Sequence, residues 1–154
     1  MPKHTAAATV RIAHRGDVGR VAPLFDLYRQ FYEQAPDLDA ARQFLDDRFA
    51  RGESVLLVAE SDAQCVGFCQ LYPSFCSVIA APIYVLYDIF VHPDARRHHI
   101  GRDLLLAAEA HARASGFARM DLTTAHTNRT AQTLYESLGW KRDEVFLTYN
   151  RFLR

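Results

Sequence analysis

Residues 83–112 read IYVLYDIFVHPDARRHHIGRDLLLAAEAHA, and three kinds of local chemistry follow one another along them. The first nine are apolar and mostly β-branched or aromatic, broken only by Asp88, which predicts a strand over 83–91. From Ile100 onward the apolar residues Ile100, Leu104, Leu105, Ala108 and Ala112 recur at helical spacing, and Gly116 follows as a C-cap. A helix over 100–114 is expected. A strand that feeds a helix through a short polar loop sets unpaired backbone N–H groups and the positive end of the helix dipole at one point, which suits phosphate. Arg96, Arg97 and Arg102 surround that point, and Gly101, lacking a Cβ, lets an anion approach the backbone. On local physics alone, a solvated helix start with outward arginines reads equally well.

Working outward, residues 117–124 read as a strand and 128–138 as a helix with Asn128 as N-cap, with further strands from Trp140 onward that include 144–152. Strand-helix-strand runs make right-handed crossovers, so the strands 83–91 and 117–124 should lie parallel. Upstream, 8–13 reads as a short strand. A helix opens at Gly16-Asp17, carries Val18, Val21, Leu24, Phe25, Leu27, Tyr28, Phe31 and Tyr32 at helical spacing, and is stopped by Pro36. A second helix over 39–51 buries Ala40, Phe44, Leu45 and Phe49 and ends at Gly52. Strands over 54–60 and 66–72 complete an antiparallel meander with 83–91, and 73–82, with two prolines and several apolar residues, is expected as a long loop bordering a site. The fold class is mixed α/β, in a single domain spanning 1–154.

Composition narrows the function. The 154 residues are 49% hydrophobic and 23% charged, ordinary values for a globular chain able to bury a core without staples. Eighteen basic residues balance eighteen acidic ones, so no global field draws in nucleic acid or an anionic membrane. The three cysteines are odd in number. Cys65 and Cys69, if on one strand, lie about 13 Å apart, beyond disulfide reach, so reduced thiols are expected. No apolar run reaches the ~18 residues of a membrane span, and the start MPKHTAAATVRI lacks a continuous signal-type apolar core, so a cytoplasmic location is expected. Seven histidines show neither HExxH nor paired Cys/His spacing, so no metal site is expected. Neither a Gly-x-Ser-x-Gly elbow nor a Walker loop is present.

The string V-H-P-D-A-R-R-H-H-I-G-R-D-L-L over 91–105 resembles the signature loop of the GNAT superfamily of acyl-CoA-dependent N-acetyltransferases, Arg/Gln-x-x-Gly-x-Gly/Ala at a strand-to-helix junction. Arg96 takes the first position and Gly101 the last, while His99 stands where the family usually has glycine. Either the loop binds coenzyme A with an altered backbone, His98 and His99 adding polar contacts, or binding is weakened. A second segment, N-R-T-A-Q-T-L-Y-E-S-L-G-W over 128–140, resembles the family's Asn-x-x-Ala-x-x-Leu-Tyr-x-x-Leu-Gly-Phe. Two motifs in the right order are far more specific than one, and small-amine and diamine acetyltransferases, with acidic residues in the central strand, are the nearest in kind.

The resemblance implies a GNAT fold, a mixed central sheet with splayed parallel strands and flanking helices, whose slot takes acetyl-CoA as co-substrate. It implies that Ile89, Phe90 and Val91 pair their backbone with pantetheine. Arg96, Arg97, His98, His99, Ile100, Gly101 and Arg102 would surround the pyrophosphate, with Asn128 and Ala131 also at the cofactor. Tyr135 would protonate the departing thiolate. Ala131, Leu134, Tyr135 and Leu138 also fall on one helical stripe, so Tyr135 equally reads as a core aromatic. Asp88 is an isolated charge in an apolar strand and needs a partner: it is either a base that receives the acceptor amine or an anchor for backbone N–H groups.

Tyr32, Glu33 and Tyr87 are candidate substrate residues, in a cavity to which Tyr28, Tyr72 and Phe75 could add aromatic walls, although Tyr28 and Phe75 individually read as core. The expected partner is a small-molecule amine, with no nucleic acid and no membrane. A peptide or protein amine, or a non-catalytic CoA-binding regulator, are the alternatives. Relatives that resemble this chain often dimerise through sheet edges or C-terminal strands, which makes the aromatic segment 145–152 a candidate homodimer contact.

Overall fold

The structure, a computed structural model, describes residues 7–96 and 98–154. These fall into two compact units, Met1–Leu122 and Thr123–Arg154.

In the first unit, β1 (Thr9–Ile12) leads through a 3-10 turn at Arg15–Asp17 into α1 (Val18–Phe31) and then α2 (Leu38–Arg51). The meander β2 (Val55–Ser61), β3 (Gln64–Cys76) and β4 (Ala81–Val91) follows, then α3 (Ile100–Ala114) and β5 (Arg119–Asp121). The sheet order is β1-β2-β3-β4-β5, antiparallel except for the parallel pair β4–β5. The helix boundaries have local causes. Asp37 caps α2 by accepting from the Ala40 N–H at 2.9 Å, and Gly52, at φ 61°, ends it in the left-handed conformation.

Side-chain alternation sorts the sheet into two faces. Phe68 and Phe90 join Leu56 and Val58 in a buried cluster with Val21, Leu24, Phe25 and Leu45 of α1 and α2. Gly67, one residue from Phe68, faces the other way: a Cβ there would meet Ile100 and Leu104 of α3 at 3.2 Å. Glycine at that position lets α3 approach the sheet closely. Asp17 fastens the helical layer to the sheet. Buried at the head of α1, it accepts two 2.8 Å bonds from the Arg11 guanidinium and one of 2.9 Å from the His14 N–H.

Two expectations fail here. Residues 73–82 are no long loop: β3 and β4 continue in register to Cys76↔Ala81, closed by a turn over 77–80. Pro73 is tolerated because β2 pairs with β3 only as far as Leu71, so it has no ladder to break on that side. Phe75, read as core, is therefore exposed on a projecting hairpin. The strand expected over 117–124 is real but shorter.

In the second unit, α4 (Arg129–Ser137) begins at Asn128, whose side chain accepts from the Ala131 N–H at 3.2 Å. It closes through Gly139 at φ 92°, where the Trp140 N–H donates to the Tyr135 carbonyl. The strands expected from Trp140 onward, including 144–152, are absent. Asp143 Oδ1 accepts from the Val145 and Phe146 N–H groups at 2.8 and 3.0 Å and turns the backbone. Beyond it, Val145, Phe146, Leu147, Tyr149, Phe152 and Leu153 are 77–90% exposed. β-forming side chains make a strand only when a neighbouring strand takes their N–H and C=O groups.

Candidate active site

The centre of β4 is irregular, and the irregularity builds the site. Gln70 of β3 pairs with Asp88 and the next residue, Leu71, pairs with Leu86, so Tyr87 is an extra residue, a β-bulge. The bulge lets Tyr87 and Asp88 serve the same side of the sheet, toward α1, while Leu86 stays with Leu71 on the α3 side. Pairing with β5 ends at Val85↔Asp121, yet β4 runs on to Val91. The strands part there, which leaves the β5-facing edge of Ile89, Phe90 and Val91 without a ladder partner among the described residues.

Asp88 is 6% exposed, and burial pushes its carboxyl above the usual carboxylate range despite bonds from Gln70 and Tyr28 that oppose the shift. Gln70 Nε2 donates to Asp88 Oδ2 at 3.0 Å. Among the described residues no cation faces the carboxylate. Tyrosines cluster around it. The Tyr28 hydroxyl lies 3.5 Å from the Tyr87 carbonyl, and Tyr28 meets Tyr32 edge-on at 5.2 Å between ring centres. Tyr72 meets Tyr87 at 5.5 Å, and burial next to Asp88 pushes the Tyr28 and Tyr72 phenols up, so both stay protonated as donors. Glu33 follows in an exposed turn at φ 63° and is not among the groups that act on Asp88.

Of the residues that sequence reasoning singled out, the structure brings Asp88, Tyr32 and Tyr87 near one another; Gln70 and Ser54, which bond toward Asp88, were not singled out, and Tyr28 was read as core. Tyr28 is both: its ring packs on Phe25, Phe68 and Phe90 while its hydroxyl reaches Asp88. The available signal was Gln70 itself, a polar residue in the apolar run VGFCQLY.

At the strand-to-helix junction, Arg96 Nε donates to the Val91 carbonyl at 3.0 Å and its guanidinium lies 5.4 Å from the Phe90 ring centre. That bond brings Arg96 onto the end of β4. Arg97 lies outside the described residues. His98 is exposed, and His99 takes the left-handed backbone, φ 59° and ψ 18°, directly before Ile100, Gly101 and Arg102 open α3. The His99 side chain does not cap the helix, so first-turn N–H groups remain available to an anion. The junction thus fits a pyrophosphate.

In the second unit, Asn128, Ala131 and Tyr135 lie along α4, with Asn128 bonded to Ala131 and the half-buried Tyr135 ring 6.1 Å from that of Trp140. No group of three metal-ligating side chains comes together among the described residues, and no helix there is long and apolar enough to cross a membrane.

A bulged central strand that parts from β5 and runs into an anion-receptive helix start is the arrangement that the GNAT resemblance implies. The sequence matches the Acetyltransferase (GNAT) family over residues 21–140, and the chain belongs to that family. It is 45% identical over 140 residues to the uncharacterized N-acetyltransferase YhfO of Bacillus subtilis (strain 168), covering 91% of this chain and 94% of that one. A probable acetyltransferase of Haemophilus influenzae (strain ATCC 51907 / DSM 11121 / KW20 / Rd) is 28% identical over 130 residues, 84% of this chain and 87% of its own. The crystal structure of a probable acetyltransferase superposes with a TM-score of 0.89 at 36% identity, covering 95% of this chain and 98% of the other. The protein is an acyl-CoA-dependent N-acetyltransferase.

Proposed function

We propose that the chain moves the acetyl group of acetyl-CoA to the primary amine of a small molecule by direct attack, with both compact units acting as one domain. The family match over 21–140 runs through both units and supports the single-domain reading. The observation that carries the acceptor is Asp88, a buried carboxylate without a cation of its own among the described residues, set among tyrosines next to the part of β4 that β5 does not pair with. An ammonium group supplies the charge that the site lacks, and the aromatic faces of Tyr28, Tyr32, Tyr72 and Tyr87 favour it further.

Acetyl-CoA supplies an activated thioester. The edge of Ile89, Phe90 and Val91 would hold the pantetheine, and the α3 start with Arg96, Arg97, His98, His99, Ile100, Gly101 and Arg102 would hold the pyrophosphate, a role that the family resemblance extends to Asn128 and Ala131. Asp88, its carboxyl raised by burial, takes the proton of the bound ammonium directly or through water and frees the nitrogen lone pair. That nitrogen attacks the acetyl carbonyl carbon, and a backbone N–H of β4 steadies the oxygen. As the carbon–sulfur bond breaks, Tyr135 would give its proton to the thiolate, and the second proton of the attacking nitrogen, released as the amide forms, returns to the phenolate through water. His99 adopts a backbone that glycine takes without strain, which favours a competent loop over a non-catalytic one.

The test is acetyl transfer to polyamines, amino acids, aminoglycosides and short peptides, read by product mass with Tyr135→Phe alongside. One small-amine class is acetylated, and the variant is slower by about 100-fold. Acetylation of peptides alone, or tight binding of acetyl-CoA with no product, overturns the reading.

A further inference from the structure

We infer that Gln70 is a positioning residue, whose buried amide aims the Asp88 carboxylate and the Tyr72 hydroxyl at the incoming ammonium group; this rests on the reading of Asp88 as the group that receives the amine. Gln70 is 1% exposed at the centre of the sheet, between Phe68 and Tyr72 on the same face. A buried amide is unfavourable unless its hydrogen bonds are made, and an apolar residue would fill this place with less penalty. Its bonds are made, and both donated ones run to the site. The Ser54 hydroxyl lies 3.0 Å from Oε1, while Nε2 donates to Tyr72 Oη and to Asp88 Oδ2, each at 3.0 Å.

With Asp88 ionised, this is the amide orientation that works. The reverse would set two oxygens against each other at Asp88. Two consequences follow from the donor directions. Asp88 Oδ2 is committed to Gln70, which fixes the carboxylate plane and leaves Oδ1 clear of Gln70. The Tyr72 oxygen is an acceptor toward Gln70, so its single hydrogen points elsewhere and is available as a donor among the clustered tyrosines. Gln70–Asp88 is also the last regular pair before the bulge, so the amide ties β3 to β4 where their register changes. Ser54, just ahead of β2, extends the chain of bonds one step further and holds the amide against rotation.

The titratable groups around Asp88 are the phenols of Tyr28 from α1, Tyr72 from β3 and Tyr87 from β4, with the Cys69 thiol of β3 also sensing its charge. Burial raises Tyr28, Tyr72 and Cys69, so none of these three ionises alongside Asp88.

The experiment follows the Asp88 side-chain carboxyl carbon by NMR in the full chain labelled with carbon-13 aspartate, assigned with Asp88→Asn. It records the titration midpoint and the response to methylammonium chloride. In Gln70→Leu the midpoint rises by roughly half a pH unit or more and methylammonium binds about threefold more weakly, as expected when a carboxylate loses one charge-assisted bond. Ser54→Ala moves both readings the same way by less. Should Gln70→Leu fail to fold, the Ser54→Ala readings decide between the outcomes. A midpoint and a methylammonium response that stay at the unaltered values in the folded variants overturn the positioning role of Gln70. An Asp88 signal that ignores methylammonium in the unaltered chain overturns instead the reading of Asp88 as the amine's receptor.

Discussion

Gln70 stands opposite Asp88 across β3 and β4, the last pair before the two strands fall out of step at Tyr87. Deleting Tyr87 restores an unbroken ladder without changing which face Leu86 or Asp88 occupies, since neighbouring residues then alternate in the ordinary way. The thermal midpoint should stay the same or rise. Acetyl transfer should fall by about 100-fold, because the straightened strand displaces Asp88 by the order of an ångström. Calorimetry beside a turnover assay checks both halves.

His99 holds a left-handed backbone at the entrance to α3. Such a conformation disfavours a residue with a Cβ by about 1–2 kcal/mol. His99→Gly should therefore raise stability by about 1 kcal/mol, or about 2–4 °C in thermal midpoint for a chain of this size. His99→Val, β-branched, should lower it. Acetyl-CoA affinity by titration calorimetry shows whether the imidazole itself contributes: an unchanged constant in His99→Gly assigns the loop's role to its backbone.

Burial raises the Asp88 carboxyl, so the folded chain holds that proton more tightly than the unfolded chain, whose aspartate titrates near about 3.9. The folded form gains from Asp88 being neutral, and this gain is lost as pH rises through the raised value. At pH 7, Asp88→Asn should resist urea better than the unaltered chain, while its turnover falls. At pH 3, with the carboxyl protonated in both states, the stability difference should vanish.

Asp17 has the opposite sign. Its paired bonds from Arg11 hold its carboxyl well below the usual range. Its contribution is present above about pH 4 and drains away as pH falls below that. Asp17→Asn should destabilise by about 1–3 kcal/mol at pH 7, since a buried charged hydrogen-bond network is broken. Urea midpoints for the two chains, measured from pH 7 down to pH 2, should converge.

The three thiols should separate by reactivity. Burial pushes Cys65 up to about 11 and Cys69 further still, whereas the Ile79 backbone N–H and then the Arg119 guanidinium lower Cys76. Iodoacetamide at neutral pH should add once to the folded protein, at Cys76. Intact mass followed by peptide mapping settles it, and two or three adducts would contradict the raised thiols of half-buried Cys65 and buried Cys69.

Elements whose signals lie within a dozen residues were legible from the sequence. The helix α3 begins and ends where the Ile100, Leu104, Leu105, Ala108 and Ala112 stripe puts it, and Asn128 caps α4 as its side chain suggests. Asp88 also announced itself, as a charge in an apolar strand. The bulge at Tyr87 did not, because a bulge is a relation between two strands, and neither strand alone carries its register. Gln70 became visible only once the pairing set it against Asp88, Tyr72 and Ser54. The hairpin at 73–82 was hidden by Pro73 and Pro82, which break a strand only where a neighbour needs their missing N–H. The aromatic residues after Trp140 pointed to a strand, but Asp143 turns the backbone and no ladder receives them.

Trp140 is the single tryptophan of the chain, and its ring lies 6.1 Å from that of Tyr135. The molecule therefore carries its own optical probe at the residue proposed to donate the final proton. Indole emission reports from the second unit alone, with no labelling and no background from elsewhere in the sequence. A change in that emission as acetyl-CoA is added would time the arrival of the donor at Tyr135, apart from anything that happens at Asp88.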